Sequence, residues 1–193
     1  MIADIVAASV SAKRDRAKFR AALDDLFRAG KPPTHPLDGR YTGGLLLIDV
    51  APGLTHSVEA ITSAWLPWQG KTFDALCASG DNIFTRDSFL LARLFNPLYR
   101  GIAADGPNTY RAFTFITYLA PGKFDPDRQV FKIDYDLPDN PSITIRRVLD
   151  EIVQLKDGVF LGKAHVKWWW GAWQTVAYFT LESNRQPRPG VSS

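Results

Sequence analysis

Apolar residues recur along this chain at two spacings, and the change between them divides it. Over residues 11–29, SAKRDRAKFRAALDDLFRA, Phe19, Ala22, Leu23 and Leu26 fall on one helical stripe, with Lys13, Arg20 and Asp24 opposite. Gly30 is placed to end that helix, and KPPTHP at 31–36 breaks the chain. From residue 39 the runs shorten. YTGGLLLIDV, VEAITSAW, TYRAFTFITYL, QVFKIDY, ITIRRVLDEIVQL, VFLGKAHVKWWW and WQTVAYFTLE read as strands; PGKFDPD, LPDNPS, KDG and GA separate the later ones. A second helix is expected over 86–95, RDSFLLARLF, capped by Thr85 and stopped by Pro97. Strands in series with short turns favour an antiparallel sheet that closes on itself. The pattern predicts a single domain, 1–193, of mainly β class. It has an N-terminal helix at 11–29, an antiparallel barrel over 39–182 with one inserted helix, and a flexible tail at 183–193.

The segment VKWWWGAW, 166–173, carries four tryptophans in eight positions. Read as a two-residue type II′ turn, Gly171-Ala172 pairs Trp170 with Trp173, Trp168 with Thr175, Val166 with Ala177 and Ala164 with Phe179. The other face pairs Trp169 with Gln174, Lys167 with Val176, His165 with Tyr178 and Lys163 with Thr180. Burying two unpaired lysines costs several kcal/mol, whereas apolar area gains about 25 cal/mol per Å². Trp168, Trp170, Trp173 and Phe179 are therefore expected to face inward as ligand contacts, with Trp169 outward at the rim. Gly162, Ala164 and Ala177 on the same wall leave room, either for a ligand or for side chains of other strands.

Asp157-Gly158 is the strongest hairpin signal in the chain. It pairs Leu155 with Phe160, Val153 with Gly162 and Glu151 with Ala164, which carries Glu151, Leu149 and Arg147 onto the inner face. Arg147, with Tyr135, would anchor a ligand carboxylate or oxyanion, and desolvation would raise the pKa of Glu151. Alternatively, Arg147 and Glu151 sit wet near the barrel end. The outer face sets Asp150 opposite His165, with Tyr178 beyond. Reversed parity would bring that trio inside, where a carboxylate can orient an imidazole for proton transfer. Glu151, His165 and Asp150 are thus the catalytic candidates.

Charge narrows the partners. The formal net charge is +3, and all of it resides in residues 1–31, with seven Lys/Arg against four Asp/Glu. A balanced body argues against a nucleic-acid face. The basic helix either closes one barrel end through Phe19, Leu23 and Leu26 or docks on an anionic surface. The single cysteine, Cys77, permits no intrachain disulfide and reads as a small buried residue. The start of the chain lacks a basic region before its apolar run, and no stretch reaches the ~20 apolar residues of a membrane span, so a soluble cytoplasmic protein is expected. His35, His56 and His165 have no metal-ligand spacing, no nucleophile elbow occurs and no dinucleotide loop is present. No cofactor or metal is implied, and oligomeric state leaves no signal.

Gly39-Arg40-Tyr41-Thr42-Gly43 resembles the G-x-W-x-G opening of lipocalin-type (calycin) barrels, with tyrosine in place of tryptophan. WQGKTF at 68–73 resembles the W-x-G-K-x-F segment of the bacterial GXWXG family, and the order of these segments, from the helix to AYFTLE, is similar over roughly residues 11–182. The resemblance implies a closed barrel with an interior site for a small hydrophobic molecule. The expected function is binding or carriage of such a ligand. A cofactor-free cyclase or isomerase in the same cavity is the alternative, and an interaction module using exposed aromatics is a third reading.

Overall fold

The computed structural model describes residues 16–48, 68–86 and 99–184. The expected strand at 58–65, all but the first residue of the expected helix at 86–95, residues 11–15 of the N-terminal helix and residues 185–193 of the tail lie outside the described residues. Helix α1 spans Arg16–Ala29. The strands are β1 (Gly39–Ile48), β2 (Trp68–Asp74), β3 (Ser79–Thr85), β4 (Ala103–Ala104), β5 (Thr109–Pro121), β6 (Gln129–Asp134), β7 (Val148–Lys156), β8 (Val159–Lys167) and β9 (Trp173–Ser183). A 3-10 turn, Ile145–Arg147, precedes β7. Neighbours follow the order β3-β2-β1-β9-β8-β7-β6-β5, and β3 pairs back onto β5, which closes an eight-stranded antiparallel barrel. Strand β4 is an extra edge piece on β5.

Two apolar layers result. Inside, Tyr41, Phe73, Phe115, Phe131, Ile152, Phe160, Phe179 and Leu181 form an aromatic-rich core. Outside, Phe19, Leu23 and Phe27 of α1 pack on Leu46, Leu47, Val130, Val153, Leu161 and Tyr178. The helix therefore lies along the barrel wall and does not plug an end. A stripe of three residues, Phe19, Leu23 and Phe27, matches the strip of outward apolar residues on β1 and β6–β9, and Gly30 turns the chain at its foot.

The two glycine-aromatic segments are neighbours. Strand β1 pairs with β2 through Tyr41↔Lys71 and Thr42↔Gly70. A Cβ on Gly70 would stand 2.0 Å from the Tyr41 carbonyl, and one on Gly43 would stand 2.4 Å from the Trp68 ring. Each segment thus needs the other's glycine, which gives a packing reason for their joint presence. Tyr41 is buried in the lumen core, edge-on to Phe73 at 5.2 Å and to Phe160 at 5.8 Å.

Two bulges set which side chains enter the lumen. The β7–β8 register runs Glu151↔Lys163 and Gln154↔Phe160 and then shifts to Lys156↔Val159, leaving Leu155 over. That extra residue reverses the parity expected for β7. Asp150 and Ile152 face in, while Leu149, Glu151 and Val153 face out. On β8 to β9 the register moves from Ala164↔Ala177 to His165↔Thr175. Val176 is the extra residue there, so Phe179 stays inside while Thr175 and Trp173 turn outward.

Candidate functional site

A buried polar cluster stands in the lumen where apolar residues would be the simpler filling. Lys71 on β2 is 2% exposed and Asp150 on β7 is 3% exposed. Lys71 Nζ lies 2.9 Å from Asp150 Oδ2, donates to Asn82 Oδ1 at 2.8 Å, and donates to the Tyr135 hydroxyl. Three acceptors match the three protons of an ammonium. Its charge also rests against the rings of Trp68, Phe115, Tyr135 and Phe179, at 5.1–5.6 Å from their centroids. The Tyr135 hydroxyl is 3.1 Å from both Asp150 Oδ2 and Asn82 Oδ1. Burial lowers the Lys71 pKa against the opposing pull of Asp150. Burial and the Asp150 charge push the Tyr135 phenol well above its ordinary range. One polar atom is left over: Asp150 Oδ1 is buried and accepts no hydrogen bond among the described residues.

The cluster borders a cavity of about 60 Å³, walled by Trp68, Phe84, Phe113, Val148 and Phe179 and reaching Lys71, Asn82, Tyr135 and Asp150. That space accommodates several water molecules or one end of a small ligand. Phe113 is held at a φ of 59°, rare for an aromatic residue. It sits in a bulge where β5 fits two residues between Gly80↔Phe115 and Asn82↔Ala112, against one on β3. Asn82 Nδ2 donates to the Phe113 carbonyl and the Phe113 N–H donates to the Tyr99 hydroxyl, so the unusual backbone is fixed from both sides. A larger hollow of about 340 Å³ lies outside the barrel between the end of α1 and the β7–β8 turn. The charged residues described there, Lys31, Lys156 and Asp157, are all exposed, so the lumen is the better candidate.

A second charged network lies on the outer wall beneath α1 and the β5–β6 connection. Glu151 accepts the Lys123 N–H at 2.7 Å, and its carboxylate sits 3.1 Å from Lys132 Nζ and 3.2 Å from His165 Nε2. His165 Nδ1 is 3.0 Å from Thr175 Oγ1, and the Phe124 ring covers the imidazole edge-on. Burial alone would raise the Glu151 pKa, but the partners His165 and Lys132 outweigh it and hold the carboxyl below its ordinary value. Lys163 reaches Asp24 at 2.7 Å and Asp125 at 3.1 Å, and Arg28 also binds Asp125. This network ties the helix and the loop to the wall.

The residues singled out from sequence therefore scatter. Phe179 and Tyr135 line the cavity, as does Asp150. Trp168 is buried, with its Nε1 donating to Gln174 Oε1. Trp170 is 52% exposed and stacks on Trp168 at 5.3 Å; Trp169 is 71% exposed. The turn is longer than two residues: Lys167 pairs with Trp173, and the Trp168 N–H donates to the Ala172 carbonyl. Trp170 thus belongs to the turn and not to the lumen wall. Trp173 is on the outer face, with the Lys123 ammonium 4.4 Å from its ring. Glu151 and His165 are on the outer wall, and the expected rise in the Glu151 pKa is a fall. Arg147 is in the 3-10 turn, its guanidinium donating to the Lys167 and Trp168 carbonyls at 3.3 Å, away from the cavity. Tyr178, grouped with His165 and Asp150 in sequence, donates to Asp24 outside the barrel. Cys77 is exposed, in the β2–β3 turn.

Sequence reasoning passed over Lys71, Asn82, Trp68, Phe84 and Phe113. Lys71 stands in WQGKTF, and the pairing of Gly70 with Thr42 sets it opposite Tyr41.

Among the described residues no helix is long and apolar enough to cross a membrane, and no cluster of three metal-ligating side chains occurs. No protein-family model matches the chain, so membership of the GXWXG family does not follow. No curated protein matches it either. A solved structure, described as the crystal structure of a protein from Thermomonospora curvata, superposes with a TM-score of 0.50 at 14% identity, covering 91% of this chain and 99% of that one. At that identity the likeness speaks to the fold alone: the chain is a closed eight-stranded antiparallel β-barrel with one added edge strand.

Proposed function

We propose that this barrel binds a small, mostly apolar molecule in its lumen, with one polar group of the ligand meeting the Lys71–Asn82–Tyr135–Asp150 cluster. The observation that carries this reading is a cavity with aromatic walls that ends on a buried ion pair. An ion pair in a barrel core is weak support for stability, because apolar residues of similar volume serve as well or better. Its presence beside a cavity fits a site that orients a ligand. The resemblance to lipocalin-like and GXWXG proteins agrees with it. The test is titration with small ring hydrocarbons and alcohols, followed by tryptophan fluorescence, together with native mass spectrometry of the purified protein. Saturable change that Trp68→Phe diminishes, or a co-purified small molecule, supports the reading. Linear, unsaturable responses together with a bare polypeptide mass refute it.

A cofactor-free cyclase or isomerase acting on such a molecule is the second reading. The observation favouring it is the Tyr135 hydroxyl on the cavity wall, held between the Lys71 ammonium and Asp150 Oδ2, in a setting where burial lowers the Lys71 pKa and raises that of Tyr135. Rearrangement would need only a held reactive conformer and one proton relay. Mass-neutral conversion of a bound molecule, lost in Tyr135→Phe, distinguishes it from simple carriage.

A further inference from the structure

The lumen cluster has an uneven set of needs, and these specify the head group it accepts. Lys71 has three protons and three acceptors, so it has no donor to spare. The Tyr135 hydroxyl accepts a hydrogen bond from Lys71 and faces Asp150 Oδ2 and Asn82 Oδ1. The Asn82 Oδ1 is already approached by Lys71, Tyr135 and the Trp68 indole N–H, and its Nδ2 is used by the Phe113 carbonyl. What remains is Asp150 Oδ1, an acceptor in a residue 3% exposed on the cavity wall. Leaving such an acceptor bare is costly, and a donor on the ligand removes the cost.

Net charge separates the possible donors. Among the described residues, the ionisable groups lining the cavity are Lys71, Asp150 and Tyr135, and the first two cancel. Glu151, Lys132, Lys163 and His165 belong to the outer wall, and Arg147 is turned onto backbone carbonyls. A carboxylate ligand would set a second anion against the bare oxygen of Asp150. An ammonium ligand would add a second cation beside a lysine that already occupies the aromatic faces. A neutral hydroxyl supplies the missing proton and leaves the balance at zero.

We infer that the lumen site selects a neutral alcohol or phenol with an apolar ring body, whose O–H donates to Asp150 Oδ1. This rests on the lumen-binding reading above and narrows it, and it departs from the carboxylate-anchoring role expected for Arg147. The experiment compares four probes of one shape, benzyl alcohol, toluene, benzoate and benzylamine, at pH 7 by tryptophan fluorescence and calorimetry. Benzyl alcohol is expected to bind about tenfold more tightly than toluene or more, since its acceptor is charged, and benzoate and benzylamine more weakly than toluene. In the Lys71→Met/Asp150→Leu double variant, which removes both charges together, toluene binding is expected to persist and the alcohol's advantage to vanish. Benzoate or benzylamine matching the alcohol overturns the inference while leaving the lumen as a binding site. So does an alcohol advantage that survives in the double variant. If none of the four binds the native protein, the lumen-binding reading falls, and this inference with it. Should the double variant not fold, the ranking on the native protein decides alone.

Discussion

Gly162→Ala tests whether the lumen is as tightly determined as its geometry implies. Gly162 on β8 pairs with Phe179 on β9, and a Cβ there would lie 2.2, 2.4 and 2.6 Å from three atoms of the Phe179 ring. Ordinary carbon–carbon contact is about 3.5–4.0 Å, so the ring has to recede by more than 1 Å. Trp68 stands edge-on to it at 5.4 Å. Phe179 lines the cavity, so recession of the ring takes space from it, and Lys71 Nζ is already 5.6 Å from the ring centroid. Overpacking of this kind costs about 1–3 kcal/mol. For a chain of this length that is a fall in Tm of roughly 2–12 °C, and the space available to a ligand shrinks with it. Thermal unfolding followed by circular dichroism reads the first effect, and probe titration reads the second. The decisive form is a cycle with Phe179→Leu. If the Phe179 ring is what the new methyl meets, Gly162→Ala costs clearly less in the Phe179→Leu background, with a coupling of about 0.5–3 kcal/mol. Equal costs in both backgrounds would refute the contact and the shape of the lumen derived from it.

Three further outcomes follow from the charged groups. Asp150→Ala strands the Lys71 ammonium in an aromatic cage and is expected to cost about 3–5 kcal/mol, whereas Lys71→Met/Asp150→Leu is expected to cost much less; urea midpoints compare them, and equal losses would contradict the pair. Glu151 has a folded-state pKa below its ordinary 4.5. Its contribution is therefore fully present above that pH and is lost as pH falls through the lower, folded value. Glu151→Gln should destabilise the protein at neutral pH and flatten its acid unfolding, and an unchanged acid profile would count against the outer network. The exposed Cys77 thiol is held up by the neighbouring Asp74. A disulfide reagent at pH 8 should label it in the native state more slowly than a simple thiol, with Asp74→Asn accelerating the reaction.

Each level of the structure was legible to the extent that a local rule governed it. The helix stripe Phe19–Leu23 and the strands after residue 109 follow period, apart from ITIRR at 143–147, which is turn and 3-10 helix before the strand begins at Val148, and the Asp157-Gly158 turn follows backbone conformation, with Gly158 at φ 67°. On β8, Ala164 lies in the lumen core and Lys163 and His165 on the opposite face, as the pattern predicts. What desolvation did not specify is that those outward residues are buried as well, by α1 and the loop at 122–128, and are neutralised there by Asp24, Asp125 and Glu151. Parity on β7 and at the start of β9 turned on Leu155 and Val176, single unpaired residues with no composition signal. One such residue exchanges the two faces of a strand, which is why Asp150 and not Glu151 reached the lumen. The hairpin β2–β3 was missed for a reason that bears on function. Gln69, Lys71, Asp81 and Asn82 break its apolar alternation, so it reads as loop. In a barrel whose other walls offer the lumen phenylalanine, isoleucine and alanine, Lys71 and Asn82 are costly there without partners. They are tolerated because Asp150 and Tyr135, brought by β7 and the end of β6, complete them. The same polar residues that hide the hairpin from a pattern reading are the ones on which the proposed lumen site rests.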